Sequence, residues 1–234
     1  MKAKKSAKTL RDATKTLITS LDPKSPISEH YRTMRTNIQF LMIDTDFKTL
    51  ACTSASPGEG KSTTITNLAV TFAQQGQKVL LVDTDLRKPT IHKIMEVSNQ
   101  KGLTTLITKR ASAKEVILPT KTNNLYVLPS GPIPPYPSEL LGSQMMKYTI
   151  EELSKKFDLI LFDTPPVLAV TDAQILGNLC DGVILVLKSH QTEKKSLTKA
   201  KELLDRAQVN VIGTIINGVD AKAVDYTYYY GENQ

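Results

Sequence analysis

The spacing of hydrophobic positions changes character along the chain. Tyr31, Met34, Ile38, Leu41 and Met42 recur every three or four residues, which predicts an amphipathic helix over 28–42, with Ser28 as its N-cap and Pro23 and Pro26 in a linker before it. From position 48 onward, short unbroken apolar runs take over. Those at 50–53, 79–82, 125–128, 159–162, 183–187 and 211–216 predict buried strands, and the gaps carry helical patterns over 61–75, 145–155, 172–179 and 196–207. Apolar strands alternating with helices define an α/β domain: a mostly parallel sheet flanked by helices on both faces. The run GPIPPYP at 131–137 fits neither a helix nor a central strand, because its prolines lack N–H donors, so a stiff surface loop is expected there.

Length and composition add bounds. A chain of 234 residues, 40% hydrophobic and 23% charged, can bury one full α/β core and is not disordered through its body. The expected organisation is a basic N-terminal tail and linker over 1–25, one domain over 26–220, and a flexible tail over 221–234. No apolar run approaches the roughly 20 residues that a membrane span needs, and no apolar core follows the basic N-terminus as in a signal peptide, so a cytoplasmic location is expected. Cys52 and Cys180 stand in apolar stretches without zinc-site spacing and read as reduced thiols. The formal charge is +7, but Lys2, Lys4, Lys5, Lys8, Arg11 and Lys15 gather much of the excess at one end. That is a tail and not a basic face, so nucleic acid is not an expected partner.

The candidate chemistry begins at SASPGEGKST over 54–63, between a predicted strand and a predicted helix. Gly58 and Gly60 permit the backbone angles that turn successive N–H groups toward an anion, the helix N-terminus adds partial positive charge, and Lys61 adds a full one. Ser56, Pro57, Gly58, Glu59, Gly60, Lys61, Ser62 and Thr63 thus form an expected ATP-binding loop, with Ser62 placed for Mg²⁺ and Ala55 where the common pattern has its first glycine. Asp163 ends the strand of LILFDTPP, and Asp83 and Asp85 follow the strand of LLVDTDLRKP. A P-loop NTPase fold would bring these strand tips to one crevice, with Asp85 and Asp163 holding the metal and its waters beside Ser62. Asn217, at the end of a late strand, is a candidate adenine contact or a turn residue.

Read together, these segments resemble the bacterial protein-tyrosine kinases that accompany capsule and exopolysaccharide synthesis, the BY-kinases. SASPGEGKS looks like their Walker A, LLVDTDLRKP like their A′ motif and LILFDTPP like their Walker B; GPIPPYPSELL is also similar, with Tyr136 where the family usually has Asn. The resemblance implies transfer of the γ-phosphate of ATP to tyrosine, with Lys61, Asp83, Asp85 and Asp163 catalytic and Asp83 taking the phenol proton. Glu29, Arg32 and Arg35 match the family's E-x-x-R-x-x-R motif, which implies a homo-oligomeric ring. The ending DYTYYYGENQ resembles its tyrosine cluster, which makes Tyr226, Tyr228, Tyr229 and Tyr230 sites of autophosphorylation in trans. Also implied are the cytoplasmic end of a membrane activator protein as partner, a peripheral position at the inner face of the membrane, protein-tyrosine substrates, an opposing tyrosine phosphatase, and control of polymer synthesis and export. The rival readings are a partition-type ATPase switch, which generally carries a second lysine where this chain has Ser56, and an ATP-binding scaffold without kinase activity.

Overall fold

A computed structural model describes residues 17–43 and 46–219. Its centre is a sheet of seven strands: β1 (Thr49–Ser54), β2 (Val79–Asp83), β3 (Leu118–Pro119), β4 (Leu125–Leu128), β5 (Leu159–Asp163), β6 (Gly182–Lys188) and β7 (Val211–Asn217). They lie in the order β3-β4-β2-β5-β1-β6-β7. All pairings are parallel except β3 with β4, as the apolar runs imply for strands buried on both faces. Five of these strands run past their apolar stretch, so Ser54, Asp83, Asp163, Lys188 and Asn217 sit at carboxyl ends. The ladder continues where the hydrophobic pattern stops. Because β5 lies between β2 and β1, Asp163 is in register with Asp83 on one side and Cys52 on the other.

The helices are α1 (Ile18–Leu21), α2 (Pro26–Met42), α3 (Lys61–Gln74), α4 (Ile91–Ile94), α5 (Leu103–Ile107), α6 (Ala113–Val116), α7 (Pro137–Leu141), α8 (Gln144–Ser154), α9 (Asp172–Gly177) and α10 (Lys194–Arg206). Alternate strand residues divide the core into two layers. Leu80, Val82, Ile160 and Phe162 pack with Leu153 and Leu176, while Leu50, Leu81 and Leu161 pack with Ile65, Leu68 and Phe72 of α3. Period-two alternation on a sheet covered on both faces produces this division.

The structure corrects the start of α2. The cap is Ser25, whose side chain accepts the Ser28 N–H at 3.2 Å, and Pro26 occupies the first turn, where its fixed φ and missing N–H cost nothing. Ser28 is buried inside the helix and donates to the Asp22 carbonyl at 2.7 Å. Residues 18–21, expected as linker, form α1 instead. Thr19 is buried, and both its N–H and its hydroxyl donate to Asn67 Oδ1 of α3, at 3.1 and 2.8 Å. At the other sheet edge, Pro119 in the short antiparallel β3 removes a donor where no further strand needs one.

Candidate active site

The turn from β1 into α3 depends on two glycines in the left-handed region, Gly58 at φ +83° and Gly60 at φ +94°. A Cβ on Gly60 would come within 1.9 Å of Asn217 Nδ2, so the tip of β7 closes against the loop. Glu59 braces that arrangement from within. It is buried, Oε2 accepts the Ser56 N–H at 3.0 Å, Oε1 accepts the Thr192 hydroxyl at 2.5 Å, and its carbonyl accepts from Asn217 Nδ2 at 3.2 Å. In this arrangement Ser56, Glu59 and Asn217 hold the loop's shape, and Thr192, which carries no sequence motif, locks it to the turn after β6.

Lys61 and Ser62 open α3 beneath this loop. The Lys61 ammonium lies 3.4 Å from Asp85 Oδ2, 3.7 Å from Asp163 Oδ1 and 3.3 Å from Ser62 Oγ. Ser62 donates to Asp163 Oδ2 at 2.6 Å. Burial by itself would lower the Lys61 pKa, but the charges of Asp163 and Asp85 outweigh it and the value rises, so the lysine stays charged. Burial drives the Asp163 pKa upward, against the pull of Lys61 and the Ser62 hydrogen bond. The four side chains converge beside a cleft of about 530 Å³ lined by Lys61, Ser62, Asp85, Arg87, Pro57 and Pro166, among others.

Asp83 stands apart from its neighbours. It is fully buried and does not line the cleft; Oδ2 accepts the N–H groups of Thr90 and Ile91, both at 3.0 Å, while Oδ1 is buried without a hydrogen bond. Burial first, and the charge of Asp163 second, push its pKa up to about 8. Asp85 reaches the cleft instead, steadied by the Lys88 N–H on Oδ1 at 2.9 Å.

The residues present suit Mg²⁺. Asp163 Oδ1 is buried without a hydrogen bond, next to a hydroxyl, and Asp85 supplies a second oxygen donor nearby. No group of three His, Cys, Asp or Glu side chains forms a metal cage among the described residues. Mg²⁺ ordinarily keeps several waters and takes only one or two carboxylates beside substrate phosphates, so this donor set matches it.

Glu29, Arg32 and Arg35 lie away from the cleft. Arg32 pairs with Glu29 on its own helix, and its Nη2 donates to the Pro23 carbonyl at 2.6 Å. Arg35 turns inward, with Nη1 donating to the Thr71 carbonyl of α3 at 3.1 Å. Tyr226, Tyr228, Tyr229 and Tyr230 lie outside the described residues. Sequence reasoning missed Arg87, although it stands in the quoted LLVDTDLRKP segment, because its partner Asp172 is 85 positions away.

A mostly parallel sheet whose first turn wraps a lysine-bearing glycine loop, with carboxylates at the tips of the next two strands, β5 and β2, on one side of β1, defines a P-loop nucleotide-binding protein. Residues 47–212 match the model of an AAA domain. The tyrosine-protein kinase YwqD of Bacillus subtilis is 50% identical over 214 residues, covering 91% of this chain and 90% of the relative. The crystal structure of the chimerical protein CapA2B2 is 40% identical and superposes with a TM-score of 0.83 over 86% of this chain and 89% of that one. The kinase domain of the Escherichia coli tyrosine kinase ETK gives 34% identity and a TM-score of 0.85 over 92% and 84%. The chain belongs to the bacterial tyrosine-protein kinases. No described helix is long and apolar enough to cross a membrane.

Proposed function

We propose that the chain passes the γ-phosphate of Mg-ATP to the tyrosines of its own C-terminal segment, Tyr226, Tyr228, Tyr229 and Tyr230, in a neighbouring copy, and so regulates exopolysaccharide or capsule synthesis and export. The observation that carries this is the convergence of Lys61, Ser62, Asp85 and Asp163 at one cleft, within 3.7 Å of one another along the chain of contacts. Phosphoryl transfer asks mainly for alignment and charge stabilisation, and this cluster offers both. Lys61 and the loop N–H groups hold the terminal phosphates. Ser62, Asp85 and Asp163 would hold Mg²⁺, which when bound withdraws charge from those phosphates. The motif resemblance gives the phenol proton to Asp83, which lies just behind the cleft lining: its Oδ1 accepts no hydrogen bond, and Mg²⁺ beside Asp163 would favour the ionised, proton-accepting form over the protonated one that a pKa of about 8 keeps in the metal-free chain.

The assembly follows from the motif resemblance. Glu29, Arg32 and Arg35 on α2 join copies into a ring, a membrane protein's cytoplasmic end raises the chain's own basal transfer rate at the inner face of the membrane, and a tyrosine phosphatase resets it. Glu29 supports this, since its side chain is 63% exposed although Arg35 is engaged internally. The test of transfer between copies is a mixture: a donor with the four tyrosines changed to Phe, and an acceptor carrying Lys61→Met. Phosphotyrosine on the acceptor, seen only when both are present, is the expected result; an unlabelled acceptor contradicts transfer in trans.

A further inference from the structure

Arg87 sits on the loop after β2, two residues beyond Asp85, and lines the same cleft. Its Nε donates to Asp172 Oδ2 at 2.9 Å and its Nη2 to Asp172 Oδ1 at 3.0 Å, a bidentate fork on a carboxylate with no solvent exposure. The same Nη2 reaches Ser138 Oγ at 2.9 Å, and the Ser138 hydroxyl donates to Asp172 Oδ1 at 2.7 Å. Three distant segments are thereby fixed to one another: the Asp85 loop, the first turn of α9, and the first turn of α7. Pro137 at the start of α7 sets where Ser138 stands, which gives the GPIPPYPSELL segment a physical task. Arg87 Nη1 has no hydrogen bond among the described residues, and the side chain is 38% exposed.

Donor geometry decides what this clamp is for. Lys61 is paired with two carboxylates and Arg87 with one, so what Arg87 adds at the cleft is a fixed N–H donor and not net charge. A planar guanidinium that lines the cleft, held on its Nε–Nη2 edge with Nη1 left without a hydrogen bond among the described residues, is a pre-organised anion contact. We propose that Arg87, held by Asp172 and Ser138, contacts the phosphoryl group as it moves to the acceptor tyrosine, and so serves transfer and not nucleotide capture. This rests on the kinase function proposed above. In that step the bond from the γ-phosphorus to the β,γ-bridging oxygen breaks, a bond from phosphorus to the phenol oxygen forms, the phenol proton passes to a carboxylate, and ADP departs. An arginine at this place meets the charge spread over the three equatorial oxygens.

The full chain tests it, with two measurements on each variant: single-turnover transfer from γ-labelled Mg-ATP to tyrosine at saturating nucleotide, and fluorescence-detected affinity for N-methylanthraniloyl-ADP. Arg87→Lys, which keeps the charge and loses the fork, is expected to slow transfer at least about tenfold while affinity stays within about twofold. Ser138→Ala should slow it in the same direction by less, with melting unchanged. Arg87→Lys transferring at the wild-type rate, or losing affinity as much as rate, overturns the inference. Should the wild-type chain itself put no label on tyrosine, the kinase function fails and the role of Arg87 with it; a labelled wild type with an unaffected Arg87→Lys defeats the role of Arg87 alone.

Discussion

Asp83 is an acid in a position that penalises its charge. Its folded pKa is about 8 against an ordinary 3.8, chiefly through burial and then the charge of Asp163. The folded state therefore holds a proton over a range where the unfolded chain has lost it. Stability from this group is present below about pH 4 and is lost as pH rises toward 8. In magnesium-free buffer the melting temperature should fall across that window, and Asp83→Asn should flatten the fall; Asp163, shifted the same way, keeps part of the slope. An unaltered slope in the variant contradicts the raised pKa. The same variant should bind nucleotide normally and transfer no phosphate to tyrosine, and ordinary autophosphorylation by it removes Asp83 as the proton acceptor.

The loop between β1 and α3 separates two kinds of glycine. Gly60→Ala meets both a left-handed φ and the Asn217 side chain at 1.9 Å, whereas a Cβ at Gly58 meets nothing within 4 Å. Gly58→Ala should cost only the backbone term, about 1–2 kcal/mol. Gly60→Ala should cost more, displace Asn217, and weaken nucleotide binding at least about tenfold, as equilibrium fluorescence and melting curves would record; equal effects at the two positions contradict the packing of β7 on the loop. Elements of this kind differ in how far the sequence announces them. The central strands were legible because both faces are buried, so 79–82 and 125–128 read as plain apolar runs. Helices α4, α5 and α6 were not, since four or five residues are too few to display a helical period. α1 escaped because four residues show no helical period; Ile18 packs on the α3 layer while the buried Thr19 bonds Asn67 and Gln74 of α3. In the site, Lys61, Ser62, Asp85 and Asp163 were readable from motifs at strand ends, while Arg87 meets Asp172 and Ser138, and Thr192 meets Glu59, only through long-range folding.

For the whole molecule, phosphorylation should act as a charge switch. Each phosphotyrosine adds about −1.5 to −2, so a fully modified C-terminal segment would be repelled by the carboxylates and phosphates it approached. A ring built through α2 should then dissociate, seen by light scattering as a lower mass after incubation with Mg-ATP; an unchanged mass with phosphotyrosine present contradicts the coupling. The cleft at the tips of β1, β2 and β5 is central to all of this, and incubation with γ-labelled ATP tests it most directly. Label should appear on tyrosine in the wild type and fall at least about a hundredfold in Lys61→Met. Tyrosine labelling at the wild-type level in Lys61→Met, or phosphate released to water with none on tyrosine, would contradict it.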